Sequence, residues 1–470
     1  MAQPNVLFIM ADQFRFDALG CLNGWIRTPS LDRLAATGTL FTSAVSNSLE
    51  CVPARFSLAT GLYPHQSGVW ENRPVTLNPK FANWMQAVEG AGYRTSLFGK
   101  AHLHRHNRDL RNDLPLMHAL GLQVVNETTG PPGNARVLSE MTELWEERGY
   151  WDAYKTYMEE QGGDAHYQPK PTPLPLDLYY DVYVPQQAKK YLGSLKGNAP
   201  WFCWLSFGGP HPPYDTPEPY ASLYPLKDVP APLPRMKNAD DARGLVKETL
   251  HSRRLSPDLT KREIAALRAD YAGAVTLIDE QIGEVLAAVE ARGELDNTLV
   301  IFTSDHGEMN GDHGAFGKSN PLDGALRIPL IVVPPKAARG NGGTRSDALL
   351  ELMDVGATIA DYAGGKLPRK SNARSLRPVL EGGRNRIREF AVSEFEEFHV
   401  MVTPRWKVEF NKRLRPTLLI DRENDPGELN DLSRDRGLKP VVAGLAETFE
   451  AFLAETPPLE NVALARRHAA

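Results

Sequence analysis

Cysteine is scarce in this chain: Cys21, Cys51 and Cys203 are all it has. Three thiols do not build a disulfide framework, and no Cys-x-x-Cys pair suggests a zinc site. Long apolar runs are missing too. The run Val6-Leu7-Phe8-Ile9-Met10 is too short for a signal peptide or a membrane span, and no basic region precedes it. The expectation is a soluble, cytoplasmic protein with no membrane partner. Blocks of one charge are absent as well: 53 basic against 58 acidic residues leave a net charge of −5. A nucleic-acid binder would carry a basic face, so no such partner is expected, and any anion site must be a local cluster.

What the chain does have is apolar mass, 42% of 470 residues, enough for a large main domain and an addition. Short apolar runs, Val6–Met10, Arg94–Phe98, Trp201–Phe207, Leu299–Thr303 and Ile328–Val333, suit buried parallel strands. Helices are expected from Thr28-Pro29, over Pro53–Thr60, over Phe81–Val88, and over about Leu259–Ala291. The last carries an unbroken stripe from Ile264 to Val289. The alternation predicts an α/β fold, a doubly wound, mostly parallel sheet over residues 1–385. Residues 386–470 differ: Phe398–Thr403, Trp406–Phe410 and Thr417–Ile420 read as antiparallel strands, followed by a helix over about Pro440–Leu453. This tail is expected to form a small C-terminal subdomain. Gly130–Pro175 and Pro210–Pro234 read as long loops that shape specificity.

Four predicted strands end on reactive groups: Asp12-Gln13, Lys100, His211 and Asp305-His306. Parallel strands place such ends on one edge, so residues distant in sequence converge on one site. Asp12, Gln13, Asp305 and His306 offer two carboxylates, an amide oxygen and an imidazole, a set that suits one divalent cation. Arg55, Lys100 and Lys318 are candidates for an anion clamp, because an anionic ester needs positive charge on its non-bridging oxygens as its bond breaks. His102 and His211 are the candidate proton carriers, since imidazole titrates near neutrality. His104, His106 and His313 are read as loop or structural residues among the chain's twelve histidines.

The stretch Cys51-Val52-Pro53-Ala54-Arg55, continued by Thr60-Gly61, resembles the signature of the formylglycine-dependent (type I) sulfatases of the alkaline phosphatase superfamily. Gly99-Lys100-Ala101-His102, Asp305-His306-Gly307-Glu308, Gly317-Lys318 and the tail Leu419–Leu432 resemble further elements of that family. The resemblance runs from Pro4 to about Leu432. It implies that a formylglycine-generating enzyme oxidises Cys51 to an aldehyde that hydrates to a geminal diol. It also implies that the side chain at 51 is a fifth metal ligand. One diol hydroxyl would attack sulfur, His211 would protonate the leaving alcohol, and His102 would deprotonate the second hydroxyl so that sulfate leaves by elimination. Arg55 would hold the diol, and Lys100 and Lys318 the sulfate oxygens.

Gln13 and His306 depart from the common pattern, which has aspartate and asparagine there. An all-oxygen site suits Ca²⁺, and a nitrogen ligand shifts the expectation to Mn²⁺. These departures, and Asn72 as a substrate-facing residue, resemble the phosphonate monoester hydrolase branch. Lys100 and His102 oppose that branch. The expected substrate is thus a small-molecule sulfate ester of the arylsulfatase type. A phosphonate monoester hydrolase or phosphodiesterase is the alternative, and an inactive binder of sulfated ligands a remote one. A homo-oligomer is expected.

Overall fold

The computed structural model describes residues 3–161, 167–338, 340 and 342–464. Eight strands form the main sheet: β1 (Asn5–Ala11), β2 (Thr39–Phe41), β3 (Arg94–Lys100), β4 (Val124–Thr128), β5 (Trp201–Ser206), β6 (Thr298–Ser304), β7 (Leu330–Val333) and β8 (Thr344–Ser346). Their order across the sheet is β8-β2-β7-β6-β1-β5-β3-β4. All neighbours are parallel except β7, which runs antiparallel to both β6 and β2. β1 is buried along its whole length, with Phe8 opposite Trp204 on β5 and Ile301 on β6.

Strand side chains alternate between two cores, as a period of two requires. Leu7, Ile9 and Ala11 join one cluster; Val6, Phe8 and Met10 join the other. The first is covered by helices at Tyr180–Ser194 and Lys261–Ala291. The expected stripe of the latter, Leu267, Tyr271, Val275, Ile278, Ile282, Leu286 and Val289, is buried there, at roughly 1.5–3 kcal/mol per large side chain. The helix starts two residues later than expected. Thr260 caps it by accepting from the Glu263 N–H at 3.3 Å, and Glu263 accepts from the Thr260 N–H at 2.7 Å. Helices at Cys51–Thr60 and Met353–Ala363 cover the second core.

The doubly wound, mostly parallel architecture and the small antiparallel subdomain are as expected. In the latter, β9 (Ala391–Phe395), β10 (Phe398–Val402), β11 (Trp406–Phe410) and β12 (Pro416–Asp421) form a meander, and helix Lys439–Glu455 packs Phe449 against Met401, Val408 and Phe410. The reading of Gly130–Pro175 as a loop is corrected. Helices Glu140–Glu147 and Trp151–Glu160 lie in it, because Ser139 caps the first and Trp145, Tyr154 and Tyr157 are core residues; residues 162–166 lie outside the described residues. Pro210–Pro234 is irregular apart from one 3₁₀ turn at Leu226–Asp228. No helix among the described residues is long and apolar enough to cross a membrane.

Candidate active site

β1, β3, β5 and β6 run parallel, so Asp12, Lys100, the loop to His211, and Asp305 all leave the same sheet edge. From β5 the chain crosses β1 to β6, so this edge is the switch point where open α/β sheets form crevices. The Asp12 N–H donates to the Gly209 carbonyl at 3.0 Å and ties the end of β1 to the loop carrying His211. Gln13 then takes a left-handed φ of 66°, strained for a side chain of its size. Two bonds hold it: its N–H donates to Asp305 Oδ1 at 3.1 Å, and its carbonyl accepts from the Tyr271 hydroxyl at 2.8 Å.

Cys51 is the first residue of its helix, which starts two residues before the expected Pro53. Glu50 ahead of it is extended, and Asn72 Oδ1 accepts the Val52 N–H at 2.9 Å. The open N–H groups at the start of this helix are thus partly satisfied by Asn72, whose oxygen serves as a helix cap.

Cys51 Sγ lies 3.1 Å from His306 Nε2, 3.8 Å from Asp12 Oδ1 and 2.9 Å from Lys318 Nζ. His306 Nε2 is 3.6 Å from Asp305 Oδ1 and 3.8 Å from Asp12 Oδ1. Asp12, Asp305 and His306 are fully buried and Cys51 nearly so. Ligands of one ion, with bonds of about 2.0–2.4 Å, stand at such separations. Two further observations fit a cation. His306 Nδ1 lies 3.0 Å from the Gly307 carbonyl, so the proton sits there and Nε2 presents its lone pair inward. The Gln13 amide nitrogen donates to Glu308, which only accepts, so Oε1 points the other way; that oxygen is buried with no partner.

Arg55 is completely buried. Its Nε donates to Asp305 Oδ2 at 2.8 Å, and one Nη donates to the Lys100 carbonyl at 2.6 Å and to Ser206 Oγ at 3.1 Å. The second Nη is 3.7 Å from Asp12 and has no hydrogen-bond partner. Lys100 pairs with Asp12, and Lys318 Nζ reaches His306 Nε2 at 3.0 Å as well as Cys51. His102, at φ 56°, has its ring 5.1 Å from the His106 ring and tilted 45° to it, and its Nδ1 is buried without a partner.

The sulfatase family model matches residues 4–365, and a model for the C-terminal part of N-sulphoglucosamine sulphohydrolase matches residues 311–455. The chain belongs to the sulfatase family. An arylsulfatase of Clostridium perfringens is 28% identical over 448 residues, 92% of this chain and 90% of that protein. PehA of Trinickia caryophylli, a multifunctional alkaline phosphatase superfamily protein, is 31% identical over 414 residues, 82% of this chain and 78% of its own length. Among solved structures, the phosphonate monoester hydrolase of Agrobacterium radiobacter superposes with a TM-score of 0.79 at 28% identity, covering 99% of this chain and 100% of that one. A sulfatase acts on sulfuric esters, so the chain is a sulfuric ester hydrolase and this crevice is its candidate site.

The charges in it act on one another across short distances. Burial alone would raise the Asp12 carboxyl, yet Lys100, His211, Lys318 and Arg55 hold it well below the usual range. Burial and Asp12 would raise the Cys51 thiol, but Lys100, Lys318 and His306 bring it down. Burial, with Lys318 and Lys100, pushes His211 down to about 3 against the pull of Asp12, and its Nδ1 lies 2.6 Å from the Pro212 carbonyl. Burial and Lys100 also push His102 far down.

Three supporting residues of this sulfatase escaped the sequence reading. Glu308 orients Gln13 while accepting the N–H of Asn310 at 2.8 Å and of Gly317 at 2.5 Å. Asp181 accepts the N–H groups of Gly208 and Gly209 at 2.8 and 3.1 Å and so fixes the His211 loop. Tyr271 sits in the long helix. Glu308 was visible beside Asp305-His306; Asp181 and Tyr271 lie in helices with no local mark of a site.

Proposed function

We propose that this sulfatase hydrolyses small-molecule aryl-type sulfate monoesters through residue 51 carried as formylglycine. The observation that carries the reading is the position of the Cys51 side chain, 2.9 Å from the Lys318 ammonium and 3.1 Å from the inward lone pair of His306. A nucleophile there faces a cation-binding set on one side and an anion clamp on the other. Formylglycine supplies an oxygen nucleophile with a second hydroxyl, which gives sulfate an exit that a plain thiol or serine lacks. A divalent ion held by Asp12, Gln13, Asp305, His306 and the side chain at 51 supplies charge neutralisation; the nitrogen ligand favours Mn²⁺ over Ca²⁺.

The chain's own groups do the rest. Arg55 keeps Asp305 and the end of β3 in place and has one Nη left to bond the side chain at 51. Lys318 and Lys100 stabilise the sulfuryl oxygens as charge develops on them. His211 holds its Nδ1 proton on Pro212 and presents Nε2 to the leaving oxygen. At rest it is neutral, so it gains its second proton only when an anion in the site offsets the two lysines. His102, neutral beside Lys100, is poised to accept a proton.

A second reading has support of its own. Gln13, His306 and Asn72, with the likeness to the Agrobacterium enzyme, favour a phosphonate monoester hydrolase. The deciding measurement is kcat/KM for an aryl sulfate and an aryl phosphonate monoester, on protein made with a formylglycine-generating enzyme. The sulfate is expected to be the faster substrate; a faster phosphonate transfers the assignment to the second reading. The peptide mass around Cys51 separates both from a silent binder, which would keep its thiol.

A further inference from the structure

His104, His106 and Glu127 form a second group of potential metal ligands, separate from the cluster around Cys51. Glu127 stands on β4 opposite Gly99, one strand further out than Lys100; the two histidines lie on the loop that leaves β3. His104 Nε2 is 2.7 Å from Glu127 Oε2, and His106 Nε2 is 3.9 Å from Glu127 Oε1. The second pair is too far apart for a hydrogen bond. Both of its atoms are nevertheless buried and unpartnered, and the Glu127 side chain is 2% exposed. Two unsatisfied buried acceptors or donors facing each other at 3.9 Å are costly as they stand. Two ligands on one ion, each about 2.0–2.2 Å from it, lie at such a distance.

The outer contacts point the same way. His104 Nδ1 lies 3.1 Å from the Arg105 carbonyl and 3.6 Å from Asp113 Oδ2. Asn107 Nδ2 donates to both oxygens of Asp113, at 2.9 and 3.1 Å, and fixes that carboxylate. A proton held on Nδ1 by the Arg105 carbonyl leaves Nε2 free as a ligand, with the Asp113 carboxylate just beyond hydrogen-bond distance. The His106 side chain is 17% exposed, which gives an ion a way in and room for a water as fourth ligand.

We propose that His104, His106 and Glu127 form a second metal site, for Zn²⁺ or a similar nitrogen-seeking ion. The ion takes the place of the proton now shared between His104 and Glu127. Two histidines and one carboxylate suit tetrahedral Zn²⁺, whereas Ca²⁺ and Mg²⁺ seek oxygen. A bound ion clamps the loop after β3 onto β4, and that loop carries His102, whose ring is 5.1 Å from that of His106.

The test is metal content by elemental analysis after Zn²⁺ loading and dialysis of the full chain. One tightly held Zn²⁺ is expected that survives Asp305→Ala and is lost in His106→Ala and in Glu127→Gln. Retention in His106→Ala and Glu127→Gln, or loss in Asp305→Ala, overturns the site. A crystal of the wild-type chain soaked in Zn²⁺ is independent of whether any variant folds. An anomalous peak among the three side chains supports the proposal, and no peak there refutes it.

Discussion

His211 is held unprotonated at rest by burial and by Lys318 and Lys100, at about 3. A group so depressed donates a proton only below that pH in the free enzyme, and at higher pH once sulfate has entered. The alkaline limb of kcat is therefore expected at higher pH than that of kcat/KM, and His211→Ala should abolish the difference. Leaving-group dependence is the companion readout. His211→Ala should cost on the order of 10²–10⁴-fold in kcat for an alkyl sulfate and far less for a nitrophenyl sulfate, whose phenolate leaves unaided. An equal loss on both would show that His211 has no acid role. Cys51→Ser tests the exit route: turnover should stop after one event, and intact mass should show sulfate retained at position 51.

At the scale of elements, the four-stranded meander is fastened to the segment between β6 and β7 through charge. Lys407 on β11, fully buried, donates to the Pro321 carbonyl at 3.0 Å and pairs with Asp323 and Glu428. Lys407→Met removes this cation and leaves the buried Glu428 carboxylate facing Asp323, which among the described residues keeps only Arg327 as an ion-pair partner. A loss of about 3–5 kcal/mol is expected in denaturant unfolding, with part regained in Lys407→Met/Asp323→Asn. Glu394 on β9 joins His65 Nδ1 at 2.9 Å and His399 Nδ1 at 2.7 Å. Burial would lower His65, but Glu394 raises it above its ordinary value. A raised imidazole contributes stability that is complete below about 6.5 and is lost as pH rises through the folded-state value. Stability should therefore fall from pH 6.5 upward, and His65→Gln should flatten that slope in thermal melts across pH.

At the scale of the molecule, the candidate site gathers Asp12, Asp305 and His306 from the ends of two strands nearly 300 residues apart in sequence, so an ion held there would cross-link the two strands at the centre of the sheet. Chelation should lower the melting temperature. Mn²⁺ at about 100 times its Kd should restore about 2.7 kcal/mol, and Asp305→Ala should remove the response. A melting temperature indifferent to chelator and to Mn²⁺ would contradict the ligand set of Asp12, Gln13, Asp305 and His306.

The apolar runs and their periods determined the strands and the long helix, because burial on both faces of a parallel sheet leaves a continuous hydrophobic record. Asp12, Lys100, His211 and Asp305 stood out for a related reason: they follow the point where that record stops, at strand ends, whereas Cys51, Arg55 and Lys318 stood out only through motifs that resemble the family's. Short or aromatic-rich elements left no such mark. The helices within Gly130–Pro175 were hidden because tyrosine, tryptophan, glycine and proline together read as loop until the core that receives the aromatic rings is known. Tertiary structure alone decided which polar group meets which. Asn72 spends its oxygen on a helix end, Arg55 spends most of its donors on Asp305 and the backbone, and Tyr271 and Asp181 brace the site from helices. Such pairings depend on distances of a few tenths of an ångström between segments far apart in the chain, and no local pattern of residues encodes them.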